Sequence, residues 1–222
     1  MTRTALVAGA SGLVGGQVLQ ALLADADYER VTTLSRRTLP VAHRRLVQRV
    51  CDFDHLAAVT DFPRVHDVFC CLGTTIRQAG SREAFRKVDL SYVLELARVA
   101  VRYRAGQFLV VTALGADPHS RIFYSRVKGE VEEGVRRLQF DAIQIFRPAL
   151  LLGRRASPRV GEGIAALLSP LVSWVLMGRL RAYRPIRAAT VARAMVRVAR
   201  EAPRGVHVYP SDEIARRGAA VP

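Results

Sequence analysis

Thr4-Ala5-Leu6-Val7-Ala8-Gly9-Ala10-Ser11-Gly12-Leu13-Val14-Gly15 is the stretch from which the rest of this chain can be read. Its first five residues form an apolar run and predict a strand over residues 3–8. From Gly12 onward Leu13, Val14, Val18, Leu19 and Leu22 recur at helical spacing and predict a helix over 12–24. The glycines between strand and helix fall as G-x-x-G-x-x-G, one position off the commoner G-x-G-x-x-G. Gly9 permits a tight turn, Gly12 lets the backbone approach a pyrophosphate, and Gly15 lets the helix close on the strand. A helix that opens here offers unpaired N–H groups and its positive dipole end to a phosphate. The stretch therefore predicts a dinucleotide seat, with Ser11 in its loop.

Strand and helix alternate outward from that seat. Strands are predicted over 30–34, 46–51, 65–72, 108–112 and 142–146, with helices over 81–103 and 120–138. The run 65–72 is almost continuously apolar, as a strand covered on both faces must be. This order implies an α/β protein with a doubly wound parallel sheet. After Pro148 a loop rich in Gly, Arg and Pro is followed by an apolar segment over 164–177, a helix over 190–200 and a short strand over 205–209. The expected organisation is one domain over 1–222, with a cofactor-binding core over 1–150 and a small substrate-side cap over 151–222. The segment 164–177 is shorter than the about 20 residues a bilayer span needs, and Ser169, Pro170 and Ser173 interrupt it. It reads as a buried or subunit-facing helix, with a membrane-surface role as the alternative. A second copy or a protein partner is accordingly an expectation.

Composition narrows the classes. Half of the 222 residues are hydrophobic, which suits an ordered globular chain. The net charge is +15, yet the basic residues are scattered in pairs such as Arg44-Arg45 and Arg216-Arg217. No zinc-finger spacing, basic zipper or aromatic RNA-binding motif accompanies them, so no specific nucleic-acid partner is expected. Polyanion binding over a vestigial cofactor site is the third-ranked reading. The three cysteines, Cys51, Cys70 and Cys71, form no C-x-x-C, no metal-ligand set stands out, and Met1 leads straight into the first strand. A reduced, cytoplasmic protein without a metal is expected.

Each predicted strand ends on residues suited to a dinucleotide, at the rim where open α/β sheets bind ligands. Arg36 and Arg37 close the second strand. An acidic residue there would bind a ribose 2′-hydroxyl, whereas arginine forks suit a 2′-phosphate, so NADP(H) is expected over NAD(H). Asp52 follows the third strand, placed to accept from an adenine amino group, with Phe53 to pack near the base. Leu72, Gly73 and Thr74 end the fourth, where glycine lets the backbone pass under the cofactor.

Of the 34 basic residues only Lys87 and Lys128 are lysine. A position that stays lysine in an arginine-using chain points to chemistry that guanidinium does not supply. Lys128 follows Tyr124 by four residues, on one helix face. A neighbouring ammonium favours phenolate, so Tyr124 is a candidate general acid/base.

These stretches resemble the short-chain dehydrogenase/reductase superfamily with its Rossmann fold. The closer likeness is to its atypical subgroup, typified by the human HIV Tat-interacting protein and its bacterial relatives. It is carried by Gly9-Ala10-Ser11-Gly12, Arg36-Arg37, Asp52-Phe53, Phe69-Cys70-Cys71-Leu72-Gly73-Thr74-Thr75, Gly115-Ala116-Asp117, Tyr124 with Val127-Lys128-Gly129-Glu130-Val131, and Phe146-Arg147-Pro148. The resemblance implies NADP(H) contacts from Ser11, Gly12, Leu13, Val14, Arg36, Arg37, Leu72, Gly73, Tyr124 and Lys128, and further from Leu151 and Arg159. It implies a serine or threonine after the fifth strand to orient a substrate carbonyl. The chain has Val111-Thr112-Ala113-Leu114 there, so Thr112 serves if the position is 112, and Ala113 does not if it is 113. The expected activity is NADP(H)-dependent oxidoreduction of a small carbonyl or alcohol with Tyr124, Lys128 and Thr112. The rival is a non-catalytic NADPH sensor that binds a protein partner.

Overall fold

The computed structural model describes residues 2–153 and 183–219. Strands β1 (Arg3–Ala8), β2 (Tyr28–Ser35), β3 (Leu46–Val50), β4 (Asp67–Cys70), β5 (Gln107–Val111) and β6 (Ala142–Arg147) join one sheet, with a later strand (Gly205–Pro210) on its far edge. The sheet has seven strands in the order β3-β2-β1-β4-β5-β6 followed by that edge strand, and every pairing is parallel. The chain leaves β1 toward β2 and β3, then returns to place β4 on the other side of β1. The two halves therefore part between β1 and β4, where doubly wound sheets bind their ligands.

Both faces of the sheet are covered. Helix α1 (Leu13–Ala24) buries Val14, Val18, Leu19, Leu22 and Leu23 on one face. On the opposite face lie α4 (Tyr92–Arg102) and α5 (Phe123–Arg136). Sandwiching explains why β4 is buried at all four positions and β1 from Ala5 to Ala8.

The predicted strands and principal helices are present, with informative differences. The helix expected over 81–103 is three pieces: α3 (Arg82–Arg86), a π turn (Lys87–Ser91) and α4. Short α2 (Ile76–Ala79), capped by Thr75, and a 3-10 helix (Phe53–Ala58), capped by Asp52, had no period long enough to read. The tail differs more. Two-residue strands β7 (Leu151–Leu152) and β8 (Ile186–Arg187) pair with each other, α6 (Ala188–Glu201) packs on α1, and β9 (Gly205–Pro210) is the seventh strand, followed by α7 (Ser211–Arg217). The described part of the tail extends the sheet and its core, and residues 154–182 of the cap expected over 151–222 lie outside the described residues. Val191, Ala194, Met195 and Val198 bury an apolar face in the core that α1 and the sheet share. The segment 164–177 and Arg159 lie outside the described residues.

Candidate cofactor and proton-transfer site

The glycines of the first turn make a cradle. Gly9 has φ of +83°, and a Cβ there would overlap the Cys71 carbonyl where the loop after β4 passes. A Cβ on Gly15 would overlap the Gly9 carbonyl, so helix and turn close only on glycine. Gly12 is the N-cap of α1, with no side-chain hydrogen bond capping the helix and no acidic residue in its first turn. The opening N–H groups of a helix need partners. Among the described residues no side chain supplies them, which fits an anionic group seated against Gly12, Leu13 and Val14, with exposed Ser11 beside it. Arg36 and Arg37 are exposed just past β2, and neither guanidinium has a partner among the described residues. Ser35 Oγ donates to the Arg37 carbonyl at 2.7 Å and fixes that turn.

Two adenine-side expectations fare differently. Asp52 is exposed, but its carboxylate accepts from the Asp54 N–H at 3.0 Å and lies 2.8 Å from His55 Nδ1. Those contacts, the backbone one first, hold its acid below the usual range. Phe53 does not pack at a base. Its ring is buried in the core against Tyr92, with centroids 5.5 Å apart, because the 3-10 turn points it inward.

On α5 the predicted pair shares one face. Tyr124 is 38% exposed, its ring 5.8 Å from that of Phe85, whereas Lys128 is buried. The Lys128 Nζ lies 2.7 Å from Asp89 Oδ1. Burial works against the ammonium, but the Asp89 carboxylate and Tyr124 outweigh it, and Lys128 holds its proton more tightly than an ordinary lysine. Asp89 Oδ2 also accepts from the Thr74 N–H at 2.7 Å. A Cβ at Gly73 would lie 3.3 Å from Asp89 Oδ1 and 3.8 Å from Lys128 Nζ, so the loop Leu72-Gly73-Thr74 runs directly over the pair. Leu151 is half-buried in β7, just beyond the end of β6.

Thr112 is turned away from this chemistry. It is buried, and its hydroxyl donates to Glu132 Oε1 at 2.7 Å. Arg147 grips the same carboxylate through Nε at 2.9 Å and Nη2 at 2.6 Å, a bidentate pair. A hydroxyl spent on a buried carboxylate does not polarise a substrate carbonyl, and Ala113 has none.

Asp89 and Glu132 escaped the sequence reading, though both had a local signal. Asp89 stands four residues from Phe85 and four from Val93, a lone carboxylate in an apolar helical stripe. Glu132 continues the face of Tyr124 and Lys128 by one more turn.

A cavity of about 400 Å³ lies at the opposite, amino-terminal rim, lined by Arg3, His66, Arg104, Gln107 and Arg204 among others. It is remote from the carboxyl ends of the strands, and Arg3 in its wall is paired with Asp67. Among the described residues no helix is long and apolar enough to cross a membrane.

The sequence matches the NAD dependent epimerase/dehydratase family over residues 5–209. Protein HTATIP2 of Rattus norvegicus is 39% identical over 167 residues, which cover 73% of this chain and 69% of that protein. A mitochondrial FMP52 of Debaryomyces hansenii is 33% identical over 209 residues, 89% of this chain and 88% of that one. Human epimerase family protein SDR39U1 (isoform2) with NADPH superposes at a TM-score of 0.61 and 21% identity, over 92% of this chain and 73% of that one. MoeE5 in complex with UDP-glucuronic acid and NAD superposes at 0.70 and 17% identity, over 93% and 75%. Such identities show a shared fold. Several relatives are named mitochondrial, which corrects the expectation of a cytoplasmic protein. Cysteine usage does not single out one compartment. With the match spanning β1 to β9, this chain belongs to the NAD dependent epimerase/dehydratase family, within the short-chain dehydrogenase/reductases.

Proposed function

We propose that the chain binds NADP(H) in preference to NAD(H) and acts as an oxidoreductase on a small carbonyl or alcohol. The observation that carries this reading is the pairing on α5 of accessible Tyr124 with buried, charged Lys128 beneath the Gly73 loop. In this reading Gly9, Ser11, Gly12, Leu13, Val14 and Gly15 hold the pyrophosphate, Arg36 and Arg37 the 2′-phosphate, and Asp52, Leu72, Gly73, Thr74 and Leu151 flank the rest. The bound nicotinamide supplies or accepts the hydride. Tyr124 gives or takes the proton at the substrate oxygen, and the Lys128 ammonium favours the phenolate that results and offers N–H donors to the ribose. The family match and the NADPH and NAD named with the superposed structures support a nicotinamide dinucleotide.

The commitment of Thr112 to Glu132 favours a second reading, an NADPH-binding sensor that turns over little. Fluorescence titration with NADPH and NADH, followed by a carbonyl-substrate screen, tests both. Tyr124→Phe retains cofactor affinity in either case. It abolishes turnover if the protein is an oxidoreductase, and a wild-type protein that binds NADPH but reduces nothing is the sensor. Tighter binding of NADH than of NADPH overturns the 2′-phosphate assignment.

A further inference from the structure

Three arginines from three separate loops line the cavity of about 400 Å³ at the amino-terminal rim: Arg64 before β4, Arg104 before β5 and Arg204 before β9. All three are exposed, and among the described residues none of their guanidiniums has a hydrogen bond or ion pair. Arg3 in the same wall is already spent on Asp67, with Nε 2.8 Å from Oδ2. Asp141 is the one carboxylate of the wall, and it has no side-chain partner among the described residues. A concavity lined mainly by one sign of charge focuses the field and concentrates counter-ions.

Arg104 stands where glycine would suit the backbone better. The Arg104 N–H donates to the Val101 carbonyl and the Ala105 N–H to the Ala100 carbonyl, each at 2.9 Å, the paired bonds of a Schellman turn that closes α4. The turn holds Arg104 at φ +57°, in the left-handed region where glycine is the usual residue. Ala202 closes α6 at φ +44°, and these two are the only non-glycine residues with positive φ among those described. Both line this cavity. An arginine kept in a strained turn points to a use for its side chain.

The rest of the wall narrows the ligand. Gln107 is 3% exposed; its Nε2 donates to Asp67 Oδ1 and to the Ala199 carbonyl, each at 2.7 Å, and its Oε1 has no partner. A buried acceptor left without a donor is costly, and a hydroxyl entering the cavity, or the water it carries, supplies one. His66 Nδ1 accepts from the Thr4 N–H at 3.0 Å, which leaves the ring proton on Nε2 as a further donor. No phenylalanine, tyrosine or tryptophan lines the cavity among the described residues, so a nucleotide base finds no ring to stack on.

We infer that this cavity is a second anion site, separate from the dinucleotide seat, and that it takes a small hydroxylated bisphosphate without a base, of the sugar or polyol kind. Arg64, Arg104 and Arg204 hold the phosphates with their planar forks, and Asp141 and Gln107 accept from hydroxyls. Its volume of about 400 Å³ falls in the range of small-molecule sites. The inference goes beyond the oxidoreductase reading and does not rest on it, since no wall residue belongs to the cradle or to the Tyr124 and Lys128 pair.

Calorimetric titration with fructose bisphosphate, in about 150 mM salt with NADPH saturating its own seat, is expected to give a Kd of about 100 μM or tighter. Arg104→Gly weakens that binding about tenfold or more while the melting temperature holds or rises, because glycine suits the turn. Arg64→Gln with Arg204→Gln weakens it about a hundredfold. A control, Arg44→Gln/Arg136→Gln/Arg197→Gln, removes three exposed charges outside the wall and changes it less than about twofold. Phosphatidylcholine vesicles with and without phosphatidylinositol bisphosphate, titrated in parallel, separate a lipid headgroup from a free ligand. Either source supports the site when binding falls in Arg104→Gly. Binding of both probes weaker than about 1 mM overturns the inference, as does an equal loss in the control and the wall variants. Should Arg104→Gly melt lower than wild type, Arg64→Gln/Arg204→Gln, which leaves the turn intact, decides by the same criterion. Wild-type protein that fails to bind NADPH sinks the cofactor reading, while the wall variants still report on this cavity.

Discussion

The Thr112 hydroxyl donates a hydrogen bond of 2.7 Å to Glu132 Oε1, and that bond ties the end of β5 to α5 and, through Arg147, to the end of β6. The site's carboxyl rim is thus braced by a buried hydrogen-bonded carboxylate. Thr112→Val removes the hydroxyl at constant shape and leaves Glu132 its arginine. The expected loss is about 1–2 kcal/mol of stability, read by denaturant unfolding. NADPH affinity is expected to stay within about twofold, a change below about 0.5 kcal/mol. A large loss of turnover with unchanged stability would return Thr112 to the catalytic group.

Gly9→Ala strikes the cradle. The residue sits at φ +83°, and an added Cβ meets the Cys71 backbone, which has no flexible end to move aside. Strain of this kind costs about 1–3 kcal/mol before any clash is counted. Thermal unfolding measures it, and NADPH titration of the surviving folded fraction is expected to show weakened binding.

Arg36→Glu with Arg37→Glu reverses the charge at the end of β2. Hydrogen bonds to a charged group contribute about 1.5–3 kcal/mol, so NADPH affinity falls by roughly tenfold to a hundredfold. NADH lacks the 2′-phosphate and changes far less. Parallel titrations of the two nucleotides decide, and an equal loss for both refutes the selectivity argument.

Alkaline pH destabilises the fold. Burial pushes the Cys70 thiol up from 9.0 to about 12, does the same to Cys51 to about 11, and raises Cys71 and Tyr28 as well. The unfolded chain releases these protons first. The stability is therefore whole below pH 9 and declines as pH rises from there toward the folded-state values. Fully buried Cys70 alone contributes a slope of about 1.4 kcal/mol per pH unit above 9. Melting temperatures are expected to hold from pH 7 to 8.5 and fall from pH 9 upward, more gently in Cys70→Ala. A flat profile to pH 11 contradicts the burial of the thiol.

The pattern that could be read from the chain was local. A strand, a glycine-spaced turn and a helix follow one another within residues 3–24, and period and turn chemistry specify them without help from afar. The same holds for Tyr124 and Lys128, whose shared face follows from helical spacing alone. Phe53 shows the limit, since an aromatic beside a strand end points to a ligand or to the core according to a turn too short to carry a period.

By itself the sequence determined the alternation of layers, the phosphate-facing turn, the arginines after β2 and the paired tyrosine and lysine. Tertiary structure alone decided that Asp89 meets Lys128 from a different helix, that Thr112 donates to Glu132, and that the strand expected over 205–209 joins the sheet as its seventh. Side-chain period is a property of one element, whereas these meetings depend on the order in which strands enter the sheet and on a π turn that re-phases one helix against another.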